Sequence, residues 1–282
     1  MAESRTVRVC PNGDVGPRPA TAALRSQAVE RVVATMRDRL DEPLSLESMA
    51  GVAALSLYHF ARVFQRVTGM PPARFLSALR LAEAKRLLVD TSLSVTDVCY
   101  RVGYNSLGSF TTRFTQSVGV SPGRFRRLQR GPQPLSDVRP WPTAAPDPDC
   151  APPGSAVTGR VRDPVGAGGP VFVGLFSSPI PEGSPVRCRI LPEPGAFGWS
   201  AVPDGTYYVF AVRFPDPDAA AGPGGEPAAP PALRVAAAPG PVPVAATAPA
   251  PELDLSLRPV RATDPPILVV LPVPRPDEPV PV

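Results

Sequence analysis

One sixteen-residue pattern occurs twice, and it constrains this chain more than any bulk property. FARVFQRVTGMPPARF begins at Phe60 and FTTRFTQSVGVSPGRF at Phe110. At a constant offset of 50 they share Phe60/Phe110, Phe64/Phe114, Gly69/Gly119, Pro72/Pro122, Arg74/Arg124 and Phe75/Phe125. Only 11 of 282 residues are Phe, so composition does not produce this coincidence. Phe at i and i+4 lies on one face of a helix, and the same face must therefore be buried twice. Upstream of the first copy, Ser45 precedes Leu46, Met49, Ala50 and Ala53 in a short helix, a turn follows at Ala54 and Leu55, and Ser56 starts the helix of Phe60 and Phe64. Upstream of the second, Ser94-Val95-Thr96-Asp97 is a capping-box-like start for Val98, Cys99 and Val102, with a turn one residue longer. Two short helices around a tight turn predict a helix-turn-helix, here duplicated. Val29, Val32, Val33, Met36 and Leu40 mark an earlier amphipathic helix that Pro43 closes, and 73–90 predicts a helix joining the two copies.

Proline divides the rest. Of 42 prolines, 35 follow residue 130, which excludes an all-helical chain. Charge divides at the same place: 24–130 carries 16 basic and 8 acidic residues, 131–282 carries 10 and 15. The acidic balance of the second part disfavours contact with DNA there. The segments 157–161, 171–176, 186–190 and 206–214 predict short strands, with Asp204-Gly205 as a turn, and their spacing predicts a β-sandwich. Residues 219–251 are dominated by Ala, Pro and Gly and predict no structure, while 267–271 (ILVVL) reads as a last strand. No apolar run reaches the roughly 18 residues of a membrane span, and the first residues lack a secretory core; a cytoplasmic protein is expected. The four cysteines are far apart and His59 is the single histidine, so neither a metal nor another cofactor is expected. No nucleophile, base and acid fall into a catalytic pattern, so the chain reads as a non-enzyme.

The helical part resembles the DNA-binding domain of the AraC/XylS family of bacterial transcription regulators. The resemblance rests on LSLESMA, on Ser56 followed by F-x-x-x-F-x-x-x-x-G, on R-L-x-x-A-x-x-L-L at 80–88, on V-G-Y at 102–104 and on G-V-S-P-x-x-F-R at 119–126. It implies seven helices and two recognition helices that enter successive major-groove turns of double-stranded DNA, about 34 Å apart. Carried over by position, Tyr58, Ala61 and Arg62 of the first recognition helix, and Leu107, Gly108, Ser109, Thr111 and Thr112 of the second, would face base edges. Ser56, His59, Gln65, Arg66, Arg80, Arg113, Arg124 and Arg126 would face phosphates. Arg62 can donate two hydrogen bonds to guanine O6 and N7. The family commonly has an arginine where this chain has Thr112, so the second unit is expected to read less sequence, to read a thymine methyl or mainly to grip backbone. The stretch GAFGWSAVPDGTYYVFAV, 195–212, resembles carboxypeptidase regulatory-like or transthyretin-like β-sandwich modules, which seldom carry catalysis.

These readings give a multidomain α plus β chain, with an N-terminal all-α double helix-turn-helix domain and a C-terminal all-β sandwich-like domain with Pro/Ala-rich disordered segments. The expected divisions are a disordered leader at 1–20, the DNA-binding domain at 21–130 with helix-turn-helix units at 45–68 and 94–118, and a Pro-rich linker at 131–155. The sandwich follows at 156–273, interrupted at 219–251, and then a tail at 274–282. The expected function is sequence-specific regulation of transcription, with DNA, RNA polymerase and a small effector or protein partner at the C-terminal domain. The alternatives are an architectural DNA-binding protein with little base specificity, and a β-sandwich ligand- or partner-binding protein.

Overall fold

The computed structural model describes residues 19–130, 155–166, 169–213, 233–246 and 251–270. The leader up to residue 18, most of the linker and the tail lie outside these. Seven helices come first: α1 (Pro19–Asp38), α2 (Leu46–Ala53), α3 (Leu57–Thr68), α4 (Pro72–Asp90), α5 (Val95–Arg101), α6 (Leu107–Val118) and α7 (Pro122–Arg130). Their ends follow local chemistry. The Ser45 hydroxyl accepts from Ser48 N at 3.2 Å. Ser94 and Asp97 form a reciprocal capping box, which satisfies donors that a helix start leaves open. Gly69 and Gly119 close α3 and α6 in the left-handed region, at φ 80° and 93°, where glycine is unstrained.

The duplicated phenylalanines build equivalent cores. Phe60 meets Phe64 edge-on at 5.5 Å, and Phe64 meets Phe75 at 5.5 Å. In the second copy the separations are 5.6 Å for Phe110–Phe114 and 5.8 Å for Phe114–Phe125. α4 carries one of these rings and buries Leu76, Leu79, Leu81, Ala84, Leu87 and Leu88, which holds the copies together. Gly103, at φ 81°, lies in the turn before α6, where a Cβ would stand 2.4 Å from the Leu40 carbonyl oxygen. Only glycine lets this turn approach the end of α1 so closely.

The strands are β1 (Ser155–Arg162), β2 (Val171–Phe176), β3 (Arg187–Leu191), β4 (Ala196–Val202), β5 (Gly205–Arg213), β6 (Arg234–Ala237), β7 (Val242–Val244), β8 (Glu252–Ser256) and β9 (Arg258–Pro259). One sheet has the order β4-β1-β8 and the other β3-β2-β5-β6-β9, with β7 also on β5. Both sheets contribute to one apolar core: Val157, Phe197 and Leu255 from the first, Val173, Leu175 and Val209 from the second. The turn at Asp204-Gly205 passes between the sheets, because β4 and β5 belong to different ones. β2 is buried along its whole length. Alternate residues Val171, Val173 and Leu175 join the apolar core shared by both sheets, while Phe172 and Phe176 join Cys188 and Val269 on the other face. A strand covered on both faces reads as a continuous apolar run.

Two sequence expectations fail here. β6 and β7 fall inside 219–251, expected to be without structure. Val242 and Val244 are buried, and β7 pairs antiparallel with Gly205, Thr206 and Tyr207; tertiary pairing outweighs an unfavourable composition. The expected strand at 267–271 is absent over the described residues 267–270, whose alternation serves two domains instead. Leu268 and Val270 enter the helical core, and Val269 enters the cluster of Phe172 and Phe176.

This segment docks the domains. Lys85 Nζ on α4 donates to the carbonyls of Ile267, Leu268 and Val269 at 3.1, 2.9 and 3.2 Å. The amides of Leu268 and Val269 donate to Pro181 O, which joins this segment to the loop after β2. In that loop the Glu182 carboxylate accepts from Arg74 at 2.7 Å and from Ser117 at 2.9 Å. One acidic side chain therefore ties the start of α4 to the end of α6.

Burial pushes the Lys85 pKa down to about 8, against about 10.4 in an unfolded chain. Between these values the unfolded chain keeps a proton that the folded chain has released, so stability rises with pH through this window. The stability of the unmodified protein relative to Lys85→Met is expected to rise by up to about 1.4 kcal/mol per pH unit between about pH 8 and 10. Denaturant titrations check this, and a pH-independent difference would refute it.

Candidate nucleic-acid interface

The exposure of α3 follows its periodicity. Phe60, Val63, Phe64 and Thr68 are buried, while Leu57, Tyr58, His59, Arg62, Gln65 and Arg66 are exposed and Ala61 is half-buried. Tyr58, at 75% exposure, is the most exposed large apolar side chain among the described residues. The Arg62 guanidinium sits 5.7 Å from the Tyr58 ring centroid. That cation–π contact orients the guanidinium before any partner arrives. The Ser56 hydroxyl makes no capping bond, which leaves the first amides of α3 as donors for an anion.

α6 repeats this plan with different chemistry. Phe110, Phe114, Ser117 and Val118 are buried; Leu107, Gly108, Ser109, Thr112 and Arg113 are exposed and Thr111 is half-buried. Here Ser106 does cap, accepting from Ser109 N at 3.3 Å. At the 50-residue offset Arg62 corresponds to Thr112, and buried Val63 corresponds to exposed Arg113. The arginine of this helix therefore stands one residue further on and on a different face. Neither α3 nor α6 contains an Asp or Glu, so no side chain on either helix repels a phosphate backbone.

Two cations expected at phosphates turn inward instead. Arg80 donates from Nε to Leu40 O and from a terminal nitrogen to Glu42 O, both at 2.8 Å. Arg126 donates to the carbonyls of Leu88 and Leu93. Both satisfy carbonyls at helix ends, for which a guanidinium fork is well shaped. Arg124, by contrast, is exposed on α7. Sequence reasoning missed the docking residues Arg74, Lys85, Ser117 and Glu182. The only available signal was that Lys85 is the single lysine among 29 basic residues.

Two exposed, acid-free helices on duplicated cores define a double helix-turn-helix domain. A family model described as a helix-turn-helix domain matches residues 49–128. The chain is 36% identical over 99 residues to the transcriptional activator RhaS of an Enterobacter species, covering 35% of this chain and 36% of RhaS. It is 29% identical over 107 residues to the activator AarP of Providencia stuartii, covering 38% and 79%. Among solved structures, the DNA-binding domain of AdpA in complex with a target DNA is 31% identical, covering 38% of this chain and 98% of that one with a TM-score of 0.36. Residues 49–128 form an AraC-type helix-turn-helix domain. The chain spans about a third of the length of RhaS.

Proposed function

We propose that this chain is a sequence-specific DNA-binding transcription regulator whose α3 and α6 enter successive major-groove turns. The observation that carries this reading is the pair of exposed, acid-free helices on equivalent phenylalanine cores. On this reading Tyr58, Ala61 and Arg62 face base edges, and Ser56, His59, Gln65 and Arg66 lie toward phosphates. Leu107, Gly108, Ser109, Thr111 and Thr112 form the second reading surface, with Arg113 and Arg124 near the backbone. Arg80 and Arg126 leave the proposed set because their donors hold carbonyls. The C-terminal domain, proposed to be a two-sheet sandwich, regulates this activity through a small effector or a protein partner, and the bound complex engages RNA polymerase.

Selection of bound sites from random duplex DNA with the full chain, followed by competition gel shifts, tests this reading. A consensus with two half-sites about one helical turn apart is expected, with specific binding at least about 10³-fold tighter than non-specific binding. A second reading, an architectural protein with little base specificity, draws support from α6, which lacks an arginine at Thr112. A ratio near one would establish that reading and reject the first.

A further inference from the structure

The junction between the domains holds a half-open cleft of about 330 Å³, within the range of about 300–1,000 Å³ typical of small-molecule sites. Leu79 and Ala82 of α4 line it together with Phe210, Val235 and Val260 of the strand-rich part. Two basic residues, exposed Arg37 and half-buried Arg258, also line this apolar space. Arg258 is neutralised, donating to both Asp264 oxygens at 2.7 Å. Arg37 is not: it makes no ion pair among the described residues and donates only one long bond, 3.5 Å, to Ala262 O. An apolar chamber beside a single uncompensated cation complements a molecule with an apolar body and one anionic group.

We propose that this junction binds a small apolar carboxylate, with its body between Ala82 and Val260 and its carboxylate on Arg37. Both domains contribute walls, so the ligand completes its contacts only when they are docked, and it stabilises that arrangement by its differential affinity. In the regulator proposed above, whose DNA reading this regulatory step rests on, occupancy reinforces docking that also runs through Glu182 to the ends of α4 and α6. Ligand binding itself does not depend on that reading.

The test uses the full chain and the fluorescent arylsulfonate 8-anilinonaphthalene-1-sulfonate, displaced by octanoate or octanol. Saturable binding at one site is expected, with octanoate the better competitor. Arg37→Gln is expected to weaken octanoate about tenfold and leave octanol unchanged. Ala82→Phe and Val260→Trp, one from each domain's lining, are each expected to abolish displacement while circular dichroism stays native. Two wall variants keep the test decisive if one does not fold. Absence of saturable binding, an Arg37→Gln effect equal for both competitors, or full binding in both wall variants would overturn the proposal. Binding that emerges only after deletion of residues 214–232, adjacent in sequence to the cavity strand β6, would assign the cavity to the chain itself and overturn it too. Gel shifts with and without octanoate then test the coupling. Octanoate binding with unaltered DNA affinity removes the regulatory step, whereas a chain that binds octanoate but no DNA refutes the DNA reading alone.

Discussion

Phe114→Ala is expected to lower the unfolding free energy of the helical domain by about 3–5 kcal/mol, the range for truncating a fully buried aromatic ring. Phe114 is 0% exposed and stands between Phe110 and Phe125, within 5.8 Å of both ring centroids, so its removal opens a cavity beneath α6. Thermal and denaturant unfolding of the full chain check this. The second helix-turn-helix should fail first, seen as early amide exchange in α6 and α7. A loss under about 1 kcal/mol would mean that the site collapses around the missing ring and that the duplicated core is not what holds α6 in place.

The other large effect concerns recognition. Under the proposed function, Arg62→Ala is expected to weaken binding to the selected operator by about 1–3 kcal/mol, roughly 5- to 150-fold, and to relax preference at one base pair. Arg62 is exposed and makes a cation–π contact with the Tyr58 ring, so its truncation leaves no buried group unsatisfied and fold stability is expected to change by less than about 0.5 kcal/mol. Binding measured on operators mutated one base pair at a time separates two roles. A uniform weakening across all sequences would make Arg62 a phosphate contact. The matching change at Thr112 is expected to matter less, because a threonine hydroxyl or methyl cannot make the bidentate contact of a guanidinium.

The helical domain is legible from residues because its signals are local and repeated. Phe at i and i+4, Ser at helix starts and Gly at helix ends each act within one or two turns, and the 50-residue offset states the same arrangement twice. The exposed faces of α3 and α6 are the complement of that buried pattern. What the pattern does not encode is the use of individual cations. Arg80 and Arg126 look like surface charges in one dimension, yet each satisfies carbonyls 33 to 40 residues away in sequence. Composition misleads in the second domain for a related reason: Val242 and Val244 are held by β5, about 37 residues upstream.

Helix positions, the duplicated hairpin and the exposed reading faces were therefore determined by order of residues alone, since the interactions that specify them span a few positions. Three features were decided only by tertiary structure: the commitment of Lys85 to the carbonyls at 267–269, the bridge that Glu182 makes between Arg74 and Ser117, and the cavity beside Arg37. Each joins groups between 65 and more than 180 residues apart. Contacts between groups so far apart in the chain close long loops, and no local spacing records them.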